Sequence, residues 1–146
     1  MPAQTTCSLC PSAQPEMAGA VLLGVRGGSD RAPIISYLDR PVPVTSDLLA
    51  LAGAVKPTEV FRFAAQCEES ACQHFDGADC RLVTRIVNIL PAVVETLPQC
   101  KVRHECRWYL QEGHPACFRC PQVITEVLEP TEAYRLAATP EHFPAK

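Results

Sequence analysis

The chain has 146 residues, 47% of them apolar and 20% charged, which suits a single domain able to bury its own core. Its formal net charge of −3, with a pI near 5.8, leaves no basic footprint for the phosphates of nucleic acid. The one local basic run, Lys101, Arg103, His104 and Arg107, is interrupted by Glu105 and followed by Glu112, so it reads as a solvated loop or helix end.

At the N-terminus, the apolar run from Met17 to Val25 has no Lys or Arg ahead of it and contains two glycines, unlike a secretory leader. No stretch reaches the ~20 apolar residues needed to span a bilayer. A cytoplasmic protein is expected, in which thiols stay reduced and clustered cysteines signal metal binding or catalysis. The odd count of nine cysteines also excludes complete intramolecular disulphide pairing.

Four regions follow in chain order: an N-terminal Cys-x-x-Cys segment (1–16), a cysteine-free scaffold (17–66), a cysteine-rich region (67–128) and a tail (129–146). In the scaffold, the apolar runs 20–25 and 34–38 read as strands of a hairpin joined through 27–33. Pro41 and Pro43 hold the next stretch extended. Thr45 to Asp47 offers N-cap residues for a short helix over 48–52, ended by Gly53. Pro57 opens a second helix, with Val60, Phe61, Ala64 and Ala65 at helical spacing, running into Cys67.

The strongest helical rhythm is the apolar series 82, 83, 86, 87, 90, 93, 94 and 97. Asp79 suits its N-cap, Cys80 its first turn, Pro91 a kink or split, and Pro98 its end. A strand over 122–128 and a short helix over 131–138 complete the pattern. The expected fold is therefore a small α+β domain with short strands, a Pro-kinked central helix and cysteine-rich loops around a metal centre.

The cysteine spacings run C-x2-C (Cys7, Cys10), C-x4-C-x7-C (Cys67, Cys72, Cys80) and C-x5-C-x10-C-x2-C (Cys100, Cys106, Cys117, Cys120). Cys7–Cys10 and Cys117–Cys120 are each followed by proline, a local echo. A lone buried cysteine is usually a small hydrophobe, but seven within 54 residues need another cause. A C-x-x-C pair turns two thiolates towards one metal from a tight turn, making Cys117 and Cys120 the firmest ligands. Cys80 at a helix start meets free N–H groups that favour thiolate.

Zinc favours two C-x2–4-C pairs or a C-x-x-C with H-x3–5-H, and His74, His104, His114 and His142 form no such pair. Irregular spacing with distant partners suits a cubane, probed from separate loops, so an iron–sulphur cluster, expected as 4Fe-4S, is preferred over zinc. The four ligands expected for one cluster are Cys80, Cys106, Cys117 and Cys120, with Cys67, Cys72 and Cys100 next. Cys7 and Cys10 suit a second site, a redox pair or an exposed tail, and nine cysteines count equally as two sites of four with one spare.

Trp108 and Tyr109 are placed to shield a cluster, or simply to pack. Gly24, Gly27 and Gly28 lack the dinucleotide spacing, and no phosphate loop or nucleophile elbow occurs. No single cysteine or carboxylate pair stands out as catalytic, so a non-enzymatic role is favoured. The expected function is electron transfer or redox sensing for a protein redox partner or accessory complex. The alternatives are a zinc-stabilised protein–protein interaction module and a thiol–disulphide protein.

Overall fold

The computed structural model describes residues 8–29, 32–127 and 130–140. Strands β1 (Leu9–Ala13), β2 (Val21–Gly28), β3 (Pro33–Pro43) and β4 (Phe61–Gln66) form one antiparallel sheet in the order β1-β4-β2-β3. Two short helices, α1 (Ser46–Ala50) and α2 (Pro57–Val60), lie between β3 and β4. Helices α3 (Arg81–Ile89), α4 (Arg107–Glu112), α5 (His114–Arg119) and α6 (Glu132–Ala138) follow the sheet, so the α+β expectation holds. Among the described residues no helix is long and apolar enough to cross a membrane.

The expected hairpin forms, with strands longer than the apolar runs because the extended Pro41 and Pro43 segment continues β3. Proline is tolerated there because β3 is an edge strand and need not donate on its outer side. The β2 register shifts between Leu22 and Gly24. A Cβ on Gly24 would stand 2.5 Å from Ile35 Cγ2 and 2.8 Å from the Ser36 carbonyl oxygen, so only glycine lets the two strands approach. Helix α1 starts as expected, with the Thr45 side chain accepting from the Leu48 N–H at 3.1 Å.

Three expectations fail. The helix expected from Pro57 into Cys67 ends at Val60, and Phe61–Gln66 is strand β4. Apolar residues at 60, 61, 64 and 65 fit a helix face, but they equally fit a central strand covered on both faces, and sheet partners on both sides decide it. The long helix is not kinked at Pro91. It ends before it, with Leu90 extended at φ −91° and ψ 145°, the conformation a following proline imposes. No strand forms over 122–127: the Ile124 N–H donates to Tyr134 Oη and the Glu126 N–H to the Thr58 carbonyl, so those donors are taken up elsewhere.

The two faces of β4 divide the core. Phe61, Phe63 and Ala65 pack with Ala13, Ala20 and Leu22 under α1. Ala64, with Leu23, meets Val102 on the other face. Beyond it the helical side is built on Val83, Ile86, Leu90, Trp108 and Ala116. Replacing Gly24 with alanine should destabilise the fold by about 1–3 kcal/mol, the usual range for forced overpacking. Gly27→Ala, where the nearest atom is 3.7 Å away, should stay within about 0.5 kcal/mol in the same urea titration.

Candidate functional site

The eight described cysteines are all free thiols, and they divide between two cavities. Cys100, Cys106, Cys117 and Cys120 line a narrow cavity of about 20 Å³. Cys10, Cys67, Cys72 and Cys80 line a second of about 520 Å³. Trp108 lines both and is 1% exposed. Of the four ligands favoured by spacing, Cys106, Cys117 and Cys120 are therefore brought together with Cys100, whereas Cys80 joins the other group. Cys7 lies outside the described residues.

The narrow cavity is assembled from chain between Pro98 and Pro121. The Arg103–Glu105 turn delivers Cys106 to the start of α4, whose Trp108 and Tyr109 N–H groups face its sulphur. Gly113, at φ 74°, breaks α4 from α5 and reverses the chain, so that Cys117 and Cys120 come back towards it. These two cysteines lie on the last turn of α5 and the turn that follows, three residues apart on one side, not on an extended loop.

The sheet supplies the other half. Arg62 projects from β4 on the face opposite Phe61 and Phe63 and is 0% exposed. Its Nε donates to the Pro11 carbonyl at 2.6 Å, and Nη1 donates to the Cys120 and Val123 carbonyls at 2.9 and 2.7 Å. Nη2 donates to Cys120 Sγ at 2.8 Å, and the guanidinium lies 5.5 Å from the Trp108 ring centroid. Tyr37, on β3, donates its Oη–H to the same sulphur at 2.9 Å.

Burial works against the Arg62 charge, but Cys120, through its charge and the hydrogen bond to its sulphur, outweighs it and holds the guanidinium above its usual pKa. Burial, reinforced by Cys120, likewise keeps Tyr37 protonated as a donor. The Cys106 thiol is pushed up to about 12 by burial and then by Cys120, only partly offset by the Tyr109 and Trp108 N–H groups. Burial also raises Cys117 and Cys100, with Arg103 opposing the shift at both. Neutral thiols are thus favoured where no cation compensates them. At Cys120, the Arg62 guanidinium and the Tyr37 hydroxyl both donate to the sulphur.

The wide cavity gathers its cysteines from further apart in sequence. Antiparallel pairing sets Cys10 opposite Ala65, and the Cys67 N–H donates to the Ser8 carbonyl at 2.8 Å, bringing β1 and the end of β4 together. Cys80 is the N-cap residue of α3, one position outside the first turn where it was expected, and Asp79 precedes the cap. Gln111 of α4 fixes it: Oε1 accepts from the Cys80 N–H at 2.8 Å, and Nε2 donates to the Cys80 carbonyl at 2.9 Å.

The Leu82 and Val83 N–H groups face the Cys80 sulphur without completing a cap hydrogen bond, and burial wins, so this thiol is raised and not lowered. Cys10 is pushed up to about 12, by burial first and also by Cys80, Cys67 and Cys72, against the Ser12 N–H. His74 lines this cavity, its pKa lowered to about 4 by burial and the Arg85 charge, and its Nδ1 accepts from Arg85 Nη2 at 2.6 Å. His114 instead stacks on Tyr109, with ring centroids 5.9 Å apart.

Among the described residues no group of three or more Cys, His, Asp or Glu side chains is arranged to hold a metal ion. Arg103 and Arg107, expected in a solvated run, are partly buried: Arg103 donates to the Pro98 carbonyl, and Arg107 pairs with Glu69 at 2.8 Å and covers the Phe75 ring. Arg62 and Tyr37 have no motif. The only signal for Arg62 is one charge inside the apolar run 60–65. No known protein family, curated protein or solved structure matches the chain.

Arg62→Met leaves three buried carbonyls and Cys120 without their donor, so it should lower stability by about 3–5 kcal/mol, the range for breaking a buried charged network from one side. Arg62→Lys should recover only part of this, because an ammonium cannot reproduce the fork. Urea midpoints at constant slope measure both.

Proposed function

We propose that the protein is an iron–sulphur electron carrier whose first centre is held by Cys100, Cys106, Cys117 and Cys120. The observation that carries this reading is Arg62, a fully buried cation whose described hydrogen-bond partners are three carbonyls and the Cys120 sulphur. A buried charge needs a counter-charge. A metal-bound thiolate at Cys120 supplies one, in a cavity lined by three further thiols.

The four thiols lining this cavity match the all-cysteine ligation of an iron–sulphur core. Hydrogen bonds to ligand sulphurs and burial are what tune such a core, and Arg62 and Tyr37 provide both at Cys120.

The chemistry is a single-electron exchange. The centre takes one electron from a one-electron donor protein and passes it to a one-electron acceptor protein, with no bond made or broken. Reduction adds negative charge beside Arg62, which therefore stabilises the reduced form. Anaerobically purified protein should be brown, absorb broadly near ~400 nm and contain iron and acid-labile sulphide, the properties of such clusters. Colourless protein with stoichiometric zinc would overturn the reading and favour the zinc interaction module. Tyr37→Phe, which removes one O–H···S bond, should keep the colour and lower the reduction potential by on the order of 50 mV, about 1 kcal/mol for one electron.

A further inference from the structure

The wide cavity repeats the construction of the narrow one. In each, a one-turn helix precedes a cysteine: Glu69–Ala71 leads into Cys72, and Arg103–Glu105 leads into Cys106. In each, a cysteine caps a helix with the next N–H groups facing its sulphur, Cys80 on α3 and Cys106 on α4. The segment from Cys72 to Cys80 is closed on itself by the Phe75–Cys80 bridge and by the Arg81 N–H donating to the His74 carbonyl at 2.7 Å. Strand pairing adds Cys10 and Cys67, so four thiols from three segments border one cavity of about 520 Å³.

One residue is common to the linings of the two cavities. Trp108 lines both cavities, is 1% exposed, and its Nε1–H meets no acceptor among the described residues. A buried indole N–H is ordinarily satisfied, and a sulphur of a bound cluster on either side provides a suitable acceptor.

We propose that Cys10, Cys67, Cys72 and Cys80 hold a second iron–sulphur centre, with Trp108 between it and the first, which makes the protein a two-centre one-electron relay. This rests on the reading of the first centre. Each centre gains one electron from a one-electron donor protein, so the fully reduced chain stores two. Each loses it singly to a one-electron acceptor protein, and no covalent bond changes.

Iron and acid-labile sulphide per chain, measured on anaerobically purified full-length protein, test the proposal without any variant. About eight iron per chain is expected if both centres are cubanes, with magnetic interaction between two reduced centres in the electron paramagnetic resonance spectrum. About four iron with one non-interacting signal would overturn the second centre while leaving the first. Absence of iron would overturn the reading of the first centre itself.

Variants then assign the sites. C67S/C72S should lose about half the iron and abolish the magnetic interaction, leaving the signal of the Cys100–Cys120 group. C117S/C120S should do the converse. Unchanged iron in C67S/C72S would overturn the assignment. If either variant fails to fold, as judged by circular dichroism, the wild-type stoichiometry and spin interaction still decide the number of centres.

Discussion

A guanidinium buried between a sheet and a set of thiols is the constraint on which this molecule turns. Arg62 sits on β4, a central strand, and its donors are shared between β1, through Pro11, and the segment 120–123 that closes the helical side. Removing a charge from water this completely is costly unless every donor is satisfied and the charge is balanced. Three carbonyls and the Cys120 sulphur take four of its five N–H groups, and that sulphur can supply the balance. The same contacts fix the position of Cys120 relative to Tyr37 and Trp108, so fold and site share one set of bonds.

The cysteine arrangement follows from that framework. Helix starts present unpaired N–H groups, and Cys80 and Cys106 occupy the capping positions where those groups can face sulphur. In neither case does this make the free thiol acidic, because burial dominates. Such thiols are inert as nucleophiles at neutral pH and become useful when a metal displaces their protons. Gln111 adds a structural coupling, since one α4 side chain holds both the N–H and the carbonyl of Cys80 and so ties the two cysteine groups together.

Much of the fold could be read in advance where a local rule operates. The 34–38 and 20–25 runs, the Thr45 cap and the helix after Thr131 each depend on neighbours within a few residues. Failures occur where long-range contacts decide. Phe61 to Ala65 suits helix or buried strand equally until β1 and β2 flank it. Val123 and Ile124 look like a strand, yet Tyr134 takes the Ile124 N–H and Val123 offers its carbonyl to Arg62. The α4–α5 pair was hidden because Gly113 divides a stretch too short for a clear helical period.

The sequence by itself determined that thiols cluster in 67–120, that Cys117 and Cys120 stand at C-x-x-C spacing, and that the scaffold is a small α+β domain. Spacing along the chain carries those facts because turns, caps and C-x-x-C geometry are local. Only the tertiary structure decided that the described cysteines form two groups of four, that Cys10 and Cys80 belong to one and Cys100 to the other, and that Arg62, Tyr37 and Trp108 stand among them. Which sulphurs face a common space depends on strand order and helix packing, and Cys10 and Cys67, 57 positions apart, come to one cavity only when β1 pairs with β4.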